Sequence, residues 1–128
     1  MLYLSRMNPV VWIGLGGAIG SVFRYLLSHW VGVRETNQFP WHTFTVNLIG
    51  CFAIGFIWAL LNKHAADRSF YFFLITGVLG GFTTFSSFGL ETFHLIQAKE
   101  YLTATTYVLL SNAAGLLVVF LGYKLSGV

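Results

Sequence analysis

The sequence predicts an all-α integral membrane protein of four transmembrane helices, the third of them broken near its middle. Three observations carry that prediction. Only 9% of the 128 residues are Asp, Glu, Lys or Arg, against 56% hydrophobic, whereas a soluble domain uses about 25% charged residues to coat its surface. Mean hydropathy is +0.74. Apolar runs of roughly 20 residues, the length that crosses a bilayer, recur along the chain. The connections between them are too short to fold separately, so residues 1–128 form a single membrane domain and any function must sit between helices. This composition excludes a soluble enzyme, a disordered chain and a disulfide scaffold. Cys51, the 1 cysteine, lies inside an apolar run and has no intramolecular disulfide partner. The 7 basic residues behind the formal charge of +3 are scattered singly and make no nucleic-acid stripe.

The first span covers about residues 10–31, with Pro9 suited to a helix start and Arg24 its only charge. The start of the chain resembles a signal peptide, but Arg24 and His29 within it, the lack of a small-residue cleavage pattern and the three spans that follow argue against its removal. Gly16, Gly20 and Arg24 recur at i+4, so a narrow glycine face and a guanidinium share one side of the helix. That side is either a close helix contact with Arg24 snorkelling to the interface, or a vestibule whose positive charge draws anions in.

The second span, about 43–61, has no charge. Its Asn47 amide is costly in hydrocarbon without a partner, so it faces protein or water. It serves either as a hydrogen-bonding link between helices or as a pore-lining donor. Cys51, one turn later, behaves as a small hydrophobe and is assigned no role.

The third span, about 70–97, is uncharged until Glu91. Gly80 and Gly81, then Thr83, Thr84, Ser86 and Ser87, are poor helix formers placed mid-span. Irregular backbone at that depth is tolerated only inside protein or beside water, and broken midplane helices commonly turn carbonyls toward a cation. Phe85 and Phe88 share a face at i+3, beside a hydroxyl and carboxyl track of Thr84, Ser87 and Glu91. The alternative is a Ser/Thr-rich packing surface. The fourth span, about 102–123, carries Thr103, Tyr107, Ser111 and Gly115 at i+4, a stripe that looks at protein or water.

Four spans put Arg6, Lys63, Arg68 and Lys124 on one side of the membrane and Arg24, Arg34 and Lys99 on the other. The remaining loop charges are acidic: Glu35, Asp67 and Glu100. Such even basic counts give the positive-inside rule almost nothing to act on. Either other factors set one topology, or the chain inserts both ways and pairs antiparallel.

The run from Gly80 through Phe88 with Glu91 after it resembles the signature of the Fluc (CrcB) family of bacterial fluoride channels. So do Gly16 to Tyr25, Thr43 to Gly50, and Tyr107 with Ser111. The resemblance covers essentially the whole chain, and it implies a dual-topology antiparallel homodimer with two pores. The implied activity is passive, fluoride-selective export across the bacterial inner membrane, which relieves fluoride toxicity; it is not an enzymatic one. The implied partners are fluoride, a second copy and membrane lipid, with no nucleic acid. A structural sodium ion at the dimer centre would be held by the backbone carbonyls of Gly80 and Thr83. Asn47, Thr84, Phe85, Ser87, Phe88, Tyr107 and Ser111 would line the pore, with Arg24 and Glu91 at the vestibule. Two positions depart from the pattern: Ser87 replaces the usual threonine, and Gly115 stands where relatives often carry serine. His94, at i+3 from Glu91, has no counterpart role.

The chemistry agrees with that implication. Asn47 and the hydroxyls can donate to an anion, and the positive edges of Phe85 and Phe88 can face one without trapping it. Arg24 has the wrong sign for an exporter of cationic drugs that uses a first-span glutamate. A fluoride/proton antiporter built on Glu91 or His94, and a non-transporting assembly subunit, remain as alternatives.

Overall fold

The computed structural model describes residues 8–32 and 38–127. Arg6, Arg34 and Glu35 of the loop-charge count therefore lie outside the described residues. The order of elements is α1 (Pro9–Val31), α2 (Trp41–Lys63), α3 (Arg68–Phe70), a π-helix (Tyr71–Leu79), α4 (Gly80–Phe82), α5 (Phe85–Gln97) and α6 (Tyr101–Leu125). No strand occurs among the described residues. Four stretches are long and apolar enough to cross a membrane: Pro9–Val31, Trp41–Lys63, Arg68–Gln97 and Tyr101–Leu125. The chain is a multi-pass membrane protein.

Local chemistry sets the helix starts. Asn8 accepts from the Val10 amide at 3.0 Å, with Pro9 at the first helical position. Asp67 caps α3 by accepting from the Ser69 amide at 2.7 Å, and that bond holds its carboxyl below the usual carboxylate range. Trp30 and Trp41, with Trp58 and Tyr123, mark helix ends where amphipathic rings suit the membrane–water boundary.

Packing forms two pairs of spans. α1 lies along the π-helix and α4, and α2 lies along α6. Glycines make both approaches possible. A Cβ on Gly16 would meet the Val78 amide nitrogen at 2.9 Å and the Phe73 carbonyl closer still. On Gly20 it would meet the Phe82 nitrogen at 2.8 Å and overlap the Val78 carbonyl. Gly55 and Gly122 do the same between α2 and α6, against Val119 and Phe52. The glycine face of the first span is thus a helix contact of the small-residue type.

The core cluster is Phe44, Leu95, Ala104 and Tyr107, with Phe88 and Phe39 packed against it. Elsewhere little is covered: 11% of the α1 span window and 28% of the α2 window are buried. Most of each helix's apolar surface is left for lipid or another chain. The third span is the irregular one. Its nine-residue π-helix has no forerunner in the sequence pattern, which anticipates ordinary helical spacing there. After α4 the backbone leaves helical geometry for two residues, Thr83 at φ −82°, ψ 159° and Thr84 at φ −149°, ψ 117°. α5 then begins with Thr84 as its cap.

Candidate functional site

The two extended residues need partners for their backbone, because at this depth no bulk water supplies them. Asn47 on α2 provides them for Thr84. Its Oδ1 accepts from the Thr84 amide at 2.9 Å and its Nδ2 donates to the Thr84 carbonyl at 3.1 Å. Thr84 in turn caps α5: its Oγ1 accepts from the Ser87 amide at 3.1 Å and lies 3.0 Å from the Ser87 hydroxyl. Gly50 lets α2 come this close, since a Cβ there would fall on the Thr83 methyl.

These bonds have a consequence for the carbonyls. In a continuous helix the Gly80 carbonyl would accept from Thr84 and the Thr83 carbonyl from Ser87, four residues on. Both amides are instead taken by side chains, Asn47 and Thr84. The oxygens of Gly80 and Thr83 are left available to a hard cation, so the donor set fits one.

A cavity of about 350 Å³ adjoins this stretch. Asn47, Thr83, Thr84, Phe85, Phe88 and Ser111 are among its walls. The Ser111 Oγ is buried and makes no hydrogen bond within the described residues. The Phe85 and Phe88 rings lie 5.6 Å apart, and Phe88 reaches the Tyr107 ring at 5.0 Å. Phe85 is 83% exposed in the single chain, an aromatic ring presented outward beside this cavity. Gly115 is buried, and Cys51 Sγ lies 3.6 Å from where its Cβ would be, so the thiol side of α2 faces this gap.

A second cavity, about 260 Å³, lies beyond Thr84, which borders both. It is walled by Arg24, His42, Thr43, Ser87 and Glu91, among others. Glu91 is held on three sides. Thr43 Oγ1 donates to its Oε1 at 2.5 Å, the Tyr107 hydroxyl donates to its Oε2 at 2.7 Å, and His42 Nε2 sits 3.1 Å from Oε1. Tyr107 is fully buried, with its one proton committed to Glu91.

The fold therefore brings the predicted residues into two adjoining groups, Asn47–Thr84–Phe85–Phe88–Ser111 and Arg24–Ser87–Glu91–Tyr107, with Gly80 and Thr83 beside the first. His94 stands apart, its ring 6.4 Å from Phe93 and outside both cavities. His42 has no sequence signal: it belongs to no repeat or motif, and only the rotation of α2 against α5 shows that it meets Glu91.

Four membrane-spanning helices that keep hydroxyls, an amide, a carboxylate and a guanidinium between them define a small multi-pass membrane protein whose polar groups line its interior. The chain belongs to the CrcB family: the family described as CrcB-like protein, Camphor Resistance (CrcB), matches residues 11–123. It is 49% identical over 123 residues to a protein of Helicobacter pylori (strain J99 / ATCC 700824) named fluoride-specific ion channel FluC, covering 94% of this chain and 95% of that one. Proteins of the same name from Helicobacter acinonychis (strain Sheeba) and Azobacteroides pseudotrichonymphae genomovar. CFP2 are 46% and 44% identical, each match covering 94% of this chain and 97% of theirs. The family is one of ion channels, not enzymes.

Proposed function

We propose that this chain is a fluoride-selective channel that lets fluoride leave a bacterial cell passively through the inner membrane and so relieves fluoride toxicity. The observation that carries the reading is the identity, 44–49% across nearly the whole chain, to proteins named fluoride-specific ion channels. The chemistry supports it. Fluoride holds its water tightly, so a pore must offer replacement donors at successive points. The free Ser111 hydroxyl, the second Asn47 amide hydrogen and the Ser87 hydroxyl are such donors on either side of Thr84. Aromatic edges at Phe85 and Phe88 attract an anion weakly, which favours passage over trapping. The Glu91, Thr43 and Tyr107 cluster orders the further cavity, where Arg24 adds a favourable charge for an anion.

The working unit in this reading is an antiparallel, dual-topology homodimer of single-domain chains, each with a broken third membrane helix. An 83%-exposed Phe85 beside an open, largely apolar cavity supports a second copy as its cover. A structural sodium ion at the centre would be held by the Gly80 and Thr83 carbonyls; bound there, it would neutralise oxygens that the helix does not use and lower the cost of a nearby anion. Lipid covers the remaining apolar faces.

The test is fluoride efflux from liposomes holding the purified protein, read with a fluoride electrode, with chloride as control and with the pH gradient clamped. Fast fluoride release without chloride release and without dependence on the gradient is expected. Release driven by the gradient would make the protein an antiporter, and no release would remove the channel.

A further inference from the structure

His42 lies at the start of α2, half-buried, with Nε2 3.1 Å from Oε1 of Glu91. It also walls the 260 Å³ cavity together with Arg24. We propose that His42 is a pH-responsive charge partner of Glu91 in this cavity, raising anion passage when its imidazole is charged and lowering it when neutral. The inference rests on the channel reading above.

The groups that bear on His42 come from three helices. Glu91 on α5 touches it directly. Arg24 and Tyr25 on α1 wall the same cavity. Tyr107 on α6 acts through Glu91, whose Oε2 it holds at 2.7 Å. With imidazolium present, Glu91 is offset by a neighbouring cation, and the Arg24 charge is left to favour an anion. With neutral imidazole, the Nε2 hydrogen still bonds to Glu91. The carboxylate charge is then set against Arg24 alone, and the cavity loses its net positive character. Imidazole is the side chain whose charge ordinarily changes between about pH 5 and 8, and fields focused in low-dielectric clefts alter ion access by about tenfold or more. Thr43 and Tyr107 keep Glu91 in place in both states, so the change is one of charge rather than of position.

The experiment is fluoride efflux from proteoliposomes at symmetric pH, with the leak of protein-free vesicles subtracted at each value. For the unaltered chain, the rate is expected to fall about tenfold from about pH 5 to about pH 8. For His42→Gln, which keeps a hydrogen-bond donor but not the charge, the profile is expected to be flat. A flat profile in the unaltered chain, or a slope in His42→Gln or His42→Asn equal to that of the unaltered chain, would overturn the proposal. A second readout is independent of flux: histidine NMR in nanodiscs should show the His42 ring signals moving in Glu91→Gln, which removes the charged partner 3.1 Å from Nε2. No movement would refute the pairing. Absence of fluoride flux at every pH, with the NMR shift intact, would instead locate the failure in the channel reading.

Discussion

Asn47 offers the sharpest test of how the third span is held. In Asn47→Ala the Thr84 amide and carbonyl lose partners at 2.9 and 3.1 Å. Thr84 is only 8% exposed and its backbone is extended, so neither group can return to a helical partner without moving the chain. Hydrogen bonds between membrane helices are worth about 0.6 kcal/mol on average and up to about 1.7 kcal/mol. An unsatisfied buried polar group costs about 1–3 kcal/mol. Two such groups, one face of which borders a cavity that can admit water, give an expected loss of about 2–4 kcal/mol. Asn47→Leu keeps the branched shape of the side chain, leaves no cavity and removes the same two bonds, so it separates the loss of hydrogen bonds from the loss of contacts. Both variants are expected to lose stability in equilibrium unfolding from mixed micelles, and the Thr84 amide should exchange hydrogen faster in both. If Asn47→Leu stays within about 0.5 kcal/mol of the unaltered protein, the size of a neutral surface substitution, the bonds do not hold the span and the reasoning fails.

Phe85→Ile should abolish or sharply slow fluoride efflux while the chain still folds, because an 83%-exposed ring contributes little to the protomer's own packing; unchanged efflux would make the phenylalanines packing groups only. Gly20→Ala should destabilise the protein by about 1–3 kcal/mol or more, since the new methyl meets backbone at Val78 and Phe82 that cannot rotate away. Gly14→Ala, with nothing within 4 Å, should be neutral or stabilising by up to about 1 kcal/mol in thermal unfolding. Equal effects at the two positions would show that the glycine face is not a close contact. Epitope tags on either terminus should be accessible on both faces of the membrane, and a single-sided result would refute insertion in two orientations.

Composition and run length were enough to read four spans, because lipid as a solvent demands about 20 apolar residues per crossing whatever the neighbours do. The polar residues within those spans were equally legible as candidates, since each amide, hydroxyl or charge in hydrocarbon must face protein or water. The glycines at positions 16 and 20 were visible, but their choice between a contact and a vestibule was not. The structure sets their Cα atoms against the backbone of Phe73, Val78 and Phe82. The π-helix left no mark in the residue pattern, and the structure provides no local cause for it.

What the sequence by itself determined is therefore the number of crossings, the weakness of the third helix near Gly80 to Ser87, and the list of side chains that cannot face lipid. Only the tertiary structure decided which of them meet. Asn47 bonds Thr84 37 residues away, Thr43 bonds Glu91 48 residues away, and His42 joins Glu91 without any motif to announce it. The physical reason lies in the solvent. A helix in water reveals its buried face by amphipathicity, whereas α2 and α6 are nearly as apolar on one side as on the other. Their rotation is set by close glycine contacts and by the pairing of a few polar groups, and those depend on all four spans being in place.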